Sequence, residues 1–283
     1  IAAYIIARQL LGPIRRLEAG AKTMASGNYT ARIRQDRTDE LGQLIGHYNT
    51  LAATLEQTER AEREWISNTS HELQTPLAVL RAQIEALQDG IREPDAKTLT
   101  EMHAALMRLS RLVQDLKTLS HAREAELSAN FGREDLSGIV RVSADAARST
   151  LAAQGIELDL DLAAPTPIEC DSVQIGQVID NLLENARRYT DGPGLVRMKL
   201  EEVDGFAVLT VEDTPPAPPD ADVDRLFDRF FRVEGSRSRA SGGSGLGLSV
   251  CKAIVEAHGG TITAGHSTLG GLQITIRLPK DTA

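Results

Sequence analysis

The sequence predicts a multidomain protein in which an all-α N-terminal half precedes an α/β domain of about 150 residues. From Ile66 to Ile91, residues that are apolar except for Ser70 recur at alternating steps of four and three, the spacing of a helix that packs along one edge. The polar, small-residue stretch 122–133 that ends this half is interpreted as a linker. Beyond it, strand-like alternation and helical periodicity follow each other repeatedly, which indicates a separate α/β domain.

Composition and the first residues indicate the class of protein. The net charge of -9 and the pI near 5.3 argue against a nucleic-acid-binding surface. Cys170 and Cys251 form no CxxC pair, which fits a reducing compartment. The apolar run 1–7 is too short to span a bilayer, but with Arg8 after it the run is typical of the inner end of a membrane span. We therefore expect the cytoplasmic portion of an inner-membrane protein, with residues 1–11 ending a transmembrane helix.

Two short helices joined by an extended connector are expected in residues 12–58. Pro13 suits the first turn of a helix, and the apolar residues after it follow helical steps. The connector 26–38 is polar and has no period. Asp39 and Glu40 then begin the second helix, because acidic side chains favour the positive end of a helix dipole.

The next region, 59–124, is predicted to be a pair of long helices. The first has no glycine or proline between Leu55 and Ile66, where its apolar phase is displaced, and such a shift locally unwinds a coiled coil. It ends near Gly90. The second helix has an apolar stripe of Leu99, Met102, Leu106, Leu109, Val113 and Leu116. Helices this narrowly striped need a partner, which is either a second copy in a dimeric four-helix bundle or the C-terminal domain of the same chain.

His71 and Glu72 combine a titratable nucleophile with a carboxylate on the first long helix. A carboxylate that holds the proton of one imidazole nitrogen leaves the other lone pair free to attack an electrophile. His71 falls beside the apolar seam, so we expect it to be partly exposed. Pro76 lacks an amide hydrogen and clashes with the carbonyl of Glu72, which predicts a bend or a loosened turn there. Taken alone, the pair is more typical of a surface histidine on an ordinary amphipathic helix.

The C-terminal domain, 125–283, is predicted to contain helices over 137–153, 172–189 and 249–258. Its strands are expected over 156–162, 196–203, 206–211, 260–264 and 272–278. Asp204 and Gly205 mark a hairpin between two of them. A domain of this size can bury its own core.

One helix face of this domain suits a nucleotide. Asn181, Asn185, Arg188 and Tyr189 are spaced so that they share a face. Amide oxygens suit a hard metal ion, a cation suits phosphate, and an aromatic ring can flank a base. The plain alternative is a solvated polar face.

A glycine-rich run, 242–247, precedes the last predicted helix. Glycines let the backbone approach phosphates, and free amides at a helix start bind anions. The run is not a Rossmann turn, because no strand directly precedes it, and it lacks the lysine of a P-loop. A flexible linker is the alternative. Upstream, the aromatic residues of 227–232 could anchor a lid and its arginines could reach phosphate.

These stretches resemble known signalling modules. The Pro13 start and the run Asp39-Glu40-Leu41-Gly42 resemble a HAMP signal-relay module. The His71 stretch, the Asn181 helix and the glycine loop, in this order, resemble the sensor histidine kinases of bacterial two-component systems over essentially the whole chain. A likeness to the Bae-type envelope-stress sensors lies in two runs, 234–243 and 254–258.

The resemblance implies a fold and an activity. The fold would be a dimerisation and histidine-phosphotransfer bundle joined to a Bergerat-type ATP-binding domain. His71 would be phosphorylated from ATP and would pass the group to an aspartate of a response-regulator receiver domain. Glu72 would be the acid/base partner of His71, and Thr75 would position the water that dephosphorylates the regulator. The implied partners are a second copy of the chain and the regulator, with membrane attachment and no nucleic acid.

The resemblance also implies a nucleotide site. Asn185 would bind Mg²⁺, and Asp213 would accept the adenine amino group. The other ATP-binding residues implied are Asn181, Arg188, Tyr189, Gly243, Gly245, Leu246 and Gly247.

The chain departs from the family pattern after Asp213. The family has glycines two and four residues further on, whereas this chain has Pro215 and Ala217. Proline fixes φ and removes an amide, so the same glycine turn is excluded. Gln74 also stands where the family often has arginine. Two alternative functions therefore remain: a degenerate signalling scaffold with weak nucleotide binding, or a Bergerat-fold ATPase.

Overall fold

The computed structural model describes residues 2–120, 130–162, 165–233 and 244–280. The chain divides into two compact units, Ile1–His71 and Glu72–Ala283. The first unit is helical, and the second combines helices with two β-sheets. The run 234–243, which carries part of the family likeness, lies outside the described residues.

Helix α1 (Ala2–Ala25) contains Pro13 in its interior, so the prediction that a helix begins at Pro13 is wrong. An interior proline costs one backbone hydrogen bond. Alanine, leucine, glutamine and arginine make up most of residues 2–11, and because they favour helix, the helix continues past the proline. Among the described residues, no helix has an apolar stretch long enough to cross a bilayer.

Helix α2 (Glu40–Gln88) is continuous over 49 residues. The Asp39 carboxylate begins it by accepting the N–H of Gly42, with an N to Oδ1 distance of 3.1 Å. The predicted start at Asp39 and the predicted end near Gly90 are therefore confirmed. The chain stays helical through Pro76, and the bend expected there remains a prediction.

The connector between α1 and α2 is held along α2 by one amide side chain. Asn49 Nδ2 donates to the carbonyl oxygen of Ile33 at 2.8 Å, and Asn49 Oδ1 accepts the N–H of Ile33 at 2.9 Å. Ile33 is buried, as are Ile45 and Ala52 on α2. These contacts order the polar connector, for which the sequence offered no period.

Helix α3 (Ala96–Ser120) presents two different faces. Its buried face consists of Ala105, Leu112, Asp115 and Leu119, of which Leu112 and Leu119 belong to the C-terminal core. Of the predicted apolar stripe, Leu116 packs against that core, whereas the side chains of Leu99, Leu106 and Val113 remain about half exposed. Both sequence-based alternatives for this helix therefore have a face available: one already packs within the chain, and the other is open to a second copy.

The C-terminal domain alternates strands and helices in the order β1 (Gly132–Asp135), α4 (Leu136–Ala152), β2 (Ile156–Leu162), β3 (Pro167–Cys170), α5 (Ser172–Tyr189), β4 (Gly194–Val203), β5 (Phe206–Asp213), α6 (Asp220–Val223), α7 (Gly247–Ala257), β6 (Thr261–His266) and β7 (Leu272–Pro279). The main sheet has the order β2-β4-β5-β7-β6. Strands β2 and β4 are parallel, and the other pairs are antiparallel. Strands β1 and β3 form a separate antiparallel pair.

Helices α4, α5 and α7 form a layer against this sheet. On β4 the side chains that point into this core are Val196, Met198 and Leu200, all of them buried. The alternation along β4 therefore follows the period of two that predicted the strand. The layer fixes α5 with one face in the core and the other directed away from it.

Most elements of this domain match their predictions, including the hairpin at Asp204 and Gly205. Helix α7 begins at Gly247, two residues earlier than expected. The β1–β3 pair was not predicted, because strands of four residues are too short to show a period. Strand β1 also lies partly within the stretch interpreted as a linker.

Candidate active site

Helix α5 carries most of the predicted nucleotide residues. Its N-terminus is capped by Asp171, whose carboxylate accepts the N–H groups of Val173 and Gln174 at 3.0 and 3.1 Å. The apolar face of the helix is buried, for example at Ile179 and Leu183. The amide, cationic and aromatic residues identified from sequence therefore occupy the opposite face, where they can meet a ligand.

A pocket of about 800 Å³ lies over this face. The predicted residues that line it are Asn181, Asn185, Arg188, Tyr189, Asp213, Gly245 and Gly247. Leu246 is fully buried next to it. Gly243 lies outside the described residues. The structure thus brings together side chains that are far apart in sequence, as the predicted nucleotide site requires.

The phosphoacceptor stretch of α2 meets the same pocket. Glu72 and Thr75 both line it. Burial raises the pKa of Glu72, while the positive charge of Arg232 works in the opposite direction. A carboxyl group with a raised pKa exchanges protons more readily near neutral pH than an ordinary one. His71, the residue before Glu72, is exposed on the helix, as expected.

Asp213 is held tightly at the end of β5. It is 5% exposed, and its Oδ1 accepts the N–H of Leu272 at 2.6 Å. Burial raises its pKa to about 6, although the Leu272 hydrogen bond favours the ionised form. A Cβ atom on Gly271 would overlap Asp213 Oδ1 and lie 2.5 Å from its carbonyl oxygen, so only glycine fits there.

The proline-rich segment after Asp213 forms part of the pocket wall. Pro216, Ala217, Pro218 and Pro219 all line the pocket. The Pro215 carbonyl accepts the N–H of Asp191 at 3.1 Å, which joins the segment to the loop after α5. The chain thus has a wall of apolar rings where the family has a glycine turn.

Arg188 is oriented by an acidic neighbour. Its Nε donates to Glu184 Oε1 at 2.7 Å, and Arg187 Nε donates to Glu184 Oε2 at 2.7 Å. Burial disfavours the charge on Glu184, but the two arginines prevail and lower its pKa to about 2. The ion pair between Arg188 and Glu184 neutralises part of the positive charge of Arg188, the residue predicted to bind phosphate.

The residues before and after the run 234–243 contact each other. Phe230 donates its N–H to the carbonyl oxygen of Gly245 at 2.9 Å. Gly245 has φ +69°, and a Cβ there would lie 2.8 Å from the Phe230 carbonyl carbon. Phe231 lines the pocket, and the Arg225 guanidinium lies 4.4 Å from the centre of its ring. Phe230, one of the aromatic residues expected to anchor a lid, therefore contacts the glycine loop through its backbone.

The donor set fits Mg²⁺ bound mainly through a nucleotide. Within the described ranges, no group of three or more His, Cys, Asp or Glu side chains could hold a metal ion. Asn185 offers an amide oxygen in the pocket, whereas Glu184 is engaged by two arginines. Mg²⁺ is commonly held by one or two protein oxygens together with phosphate oxygens and water.

Sequence reasoning missed the contribution of α3 to this pocket. Arg108, Arg111 and Asp115 line it, at steps of three and four along one face of the helix. Asp115 is 5% exposed, and Gln177 Nε2 donates to its Oδ1 at 3.5 Å. The sequence signal that could have indicated this contribution is the helical spacing of the three charged residues on a face outside the apolar stripe.

Three family models match successive parts of the chain. A HAMP domain matches residues 5–57, and a His Kinase A (phospho-acceptor) domain matches residues 61–125. A histidine kinase-, DNA gyrase B-, and HSP90-like ATPase domain matches residues 170–282. Their order is the one that the motifs predicted.

Individual proteins are similar over nearly the whole chain. The signal transduction histidine-protein kinase BaeS of Escherichia coli is 42% identical over 281 residues, which cover 99% of this chain and 60% of BaeS. The probable sensor histidine kinase TcrY of Mycobacterium tuberculosis is 32% identical over 302 residues, which cover 99% of this chain and 62% of TcrY. The chain thus spans about 60% of the length of these curated relatives.

A solved structure of a histidine kinase has a similar fold. The histidine kinase AdeS of Acinetobacter baumannii superposes with a TM-score of 0.63 at 30% sequence identity. The match covers 75% of this chain and 98% of the AdeS chain.

Proposed function

The chain belongs to the sensor histidine kinases, and from this premise we propose that it transfers the γ-phosphoryl group of ATP to His71 and then to an aspartate of a response-regulator receiver domain. The observation that carries the proposal is the composition of one pocket. Glu72 and Thr75 of the phosphoacceptor helix line it together with the α5 residues Asn181 and Asn185.

The proposed reaction requires a nucleophile, a proton acceptor and neutralised phosphates. A lone pair of His71 attacks the γ-phosphorus, the bond from phosphorus to the β–γ bridging oxygen breaks, and ADP leaves with that oxygen. Glu72 accepts the proton of the other imidazole nitrogen, a role that suits its raised pKa. In-line positioning and charge neutralisation provide most of the catalysis in such transfers.

The nucleotide would be held by the residues of the pocket. Asp213 would accept the adenine amino group, Tyr189 would flank the base, and Arg188 would contact phosphate alongside Asn181. The backbone of Gly245, Leu246 and Gly247, at the start of α7, would bind phosphate oxygens. Asn185 would hold Mg²⁺, which when bound neutralises phosphate charge. Gly243 is proposed for the same loop on its sequence motif alone.

A role in dephosphorylating the response regulator is proposed for Thr75. Thr75 lines the pocket four residues after the phosphoacceptor. There it would orient the water that hydrolyses the phosphorylated regulator.

The proposed partners follow from the family. The chain would form a homodimer through the open face of α3 and the seam of α2, both of which expose apolar side chains such as Leu77 and Leu106. The match of residues 5–57 to a HAMP domain supports attachment to the inner membrane through a preceding helix, with the described domains in the cytoplasm. The proposed domain division is 12–58, 59–124 and 125–283.

Incubation with γ-labelled ATP and magnesium tests the proposal. We expect acid-labile label on the wild type and none on His71→Ala, because a phosphoramidate hydrolyses in acid. His103→Ala is a matched control, since it removes another exposed helix histidine, and it should label normally.

The same assay separates the two alternatives. Released phosphate without labelled protein would identify an ATPase. Neither label nor released phosphate would identify a scaffold that lacks nucleotide chemistry. Either result would overturn the proposed kinase activity.

A further inference from the structure

Two arginines on α3 reach the nucleotide pocket from outside the ATP-binding domain. Arg108 and Arg111 lie three residues apart on one helix face, and both line the pocket that contains Asn181 and Asn185. Neither belongs to the apolar stripe of α3, and neither is among the motif residues identified from the sequence. A solvated helix face does not require them to point into a pocket of the neighbouring domain.

These arginines are less neutralised than the cation on α5. Among the described residues, Arg108 and Arg111 form no side-chain hydrogen bond and no ion pair within 4 Å. Asp115 attracts Arg111 at longer range. Arg188, by contrast, is bound to Glu184 at 2.7 Å. Arg108 and Arg111 therefore have more unused donor capacity than Arg188.

The pocket needs such cations if it is to hold a polyphosphate. Its acidic lining residues are Glu72, Asp115, Glu184, Asp191 and Asp213. Carboxylates repel phosphate, and the pocket is partly enclosed, so this repulsion is screened less than on an open surface. Guanidinium groups bind phosphate in a bidentate manner, which makes arginine the suitable compensating residue.

We propose that Arg108 and Arg111 form a phosphate-binding site on α3 that grips the tail of a nucleotide held by the ATP-binding domain. The nucleotide then links the domain to the helical hairpin, because its base contacts one and its phosphates contact both. This inference rests on the proposed function in that the ligand is ATP. It adds two specificity-determining residues that distinguish nucleotides by the number of their phosphates.

Equilibrium titration of the full chain with ATP and with AMP, in the presence of magnesium, tests this proposal. The Arg108→Ala/Arg111→Ala variant should bind ATP at least tenfold more weakly than the wild type. Its affinity for AMP should change by less than twofold, because AMP lacks the β- and γ-phosphates. The Arg108→Lys/Arg111→Lys variant should recover part of the ATP affinity, since lysine keeps the charge but not the bidentate geometry.

The matched control is Arg141→Ala, an exposed arginine on α4 that does not line the pocket. It should bind both nucleotides as the wild type does. ATP binding by the double alanine variant within twofold of wild type would overturn the inference. An equal loss of ATP and AMP affinity would also overturn it, because that result indicates damage to the pocket rather than lost phosphate contacts.

The proposed kinase activity and the site on α3 fail in different ways. A wild-type chain that binds no ATP would overturn both of them together. A wild-type chain that binds ATP and labels His71, with the double variant unaffected, would leave the kinase activity intact and reject only the site on α3.

Discussion

Asp213 sets the pH range in which the proposed adenine contact can form. Its pKa is raised to about 6, and only the ionised carboxylate is a full acceptor for an amino group. ATP affinity should therefore fall as the pH is lowered through 6, by about tenfold between pH 7.5 and pH 5. Isothermal titration calorimetry over this range measures the effect.

The Asp213→Asn variant separates this titration from that of the ATP phosphates. It should bind ATP more weakly at pH 7.5 and lose most of the pH dependence. Asp145→Asn, on the exposed side of α4, should behave as the wild type. The assignment fails if the wild type and Asp213→Asn have the same pH profile.

Gly271 is a position at which the structure leaves no room for a side chain. The change Gly271→Ala pushes a methyl group against the Asp213 carboxylate and main chain. We expect the free energy of unfolding to fall by about 2 kcal/mol or more, because the contacts that hold Asp213 must open. Urea denaturation measures it.

A second glycine provides the control for that change. Gly265 lies in β6, and the position that a Cβ atom would take there is open space. The Gly265→Ala change should alter the free energy of unfolding by no more than about 0.5 kcal/mol. Equal effects at the two sites would show that the close approach to Asp213 is not what matters.

Helix α3 is the element whose open face is expected to form the dimer. Leu106 is 50% exposed in the centre of that face. A charge there would be buried in a bundle, so Leu106→Glu should weaken dimerisation by about a hundredfold or more. Sedimentation analysis over a concentration series measures the dissociation constant.

Thr100→Glu adds the same charge on the same helix outside the apolar stripe. Thr100 is exposed, and this variant should dimerise as the wild type does. If both variants dissociate equally, or neither does, the open face of α3 is not the dimer interface.

The sequence predicted elements well where their signal is local. The period of two in β4 and the capped, amphipathic pattern of α5 each depend on neighbouring residues alone. The second face of α3 was not predicted, because Ala105 is small and Asp115 is charged, and such residues are buried only when a partner surface exists. The start of α1 was also predicted wrongly, because a proline that suits the first turn of a helix can instead lie in the helix interior, as Pro13 does.

The sequence predicted the motif residues of the site, but it did not predict which other segments complete the pocket. The residues of α5 and the glycine loop have motifs, and the pocket brings them together as expected. Arg108 and Arg111 line the pocket because α3 packs on the ATP-binding domain, and no local sequence pattern predicts that packing. The proline segment was correctly expected to exclude the glycine turn, but its position as a wall depends on the contact with Asp191, far from it along the chain.

On the scale of the whole molecule, Asp115 makes the packing of α3 on the ATP-binding domain depend on pH. Burial raises its pKa to about 6, while Arg111 and Gln177 act in the opposite direction. The folded-state pKa lies above the ordinary value of 3.8, so the contribution of this group to stability is full below pH about 4 and is lost as the pH rises through about 6.

Replacing this acid by its amide should therefore matter most at high pH. The difference in unfolding free energy between Asp115→Asn and the wild type should increase in favour of the variant from pH 4 to pH 7. Urea denaturation at each pH gives this difference. Asp224→Asn, an exposed control, should give a constant difference. A constant difference for Asp115→Asn as well would contradict the assignment.

Most faces of helix α3 are occupied by contacts or by a proposed contact, so only one strip of its surface is free to vary in sequence. One side packs on the ATP-binding domain, the next lines the pocket, and the exposed part of the apolar stripe is the proposed dimer surface. The remaining strip consists of Thr100, His103, Met107, Ser110 and Gln114, all exposed. Neutral substitutions accumulated during evolution should therefore concentrate along this strip, so that close relatives would differ from one another in α3 mainly on a single line of the helix.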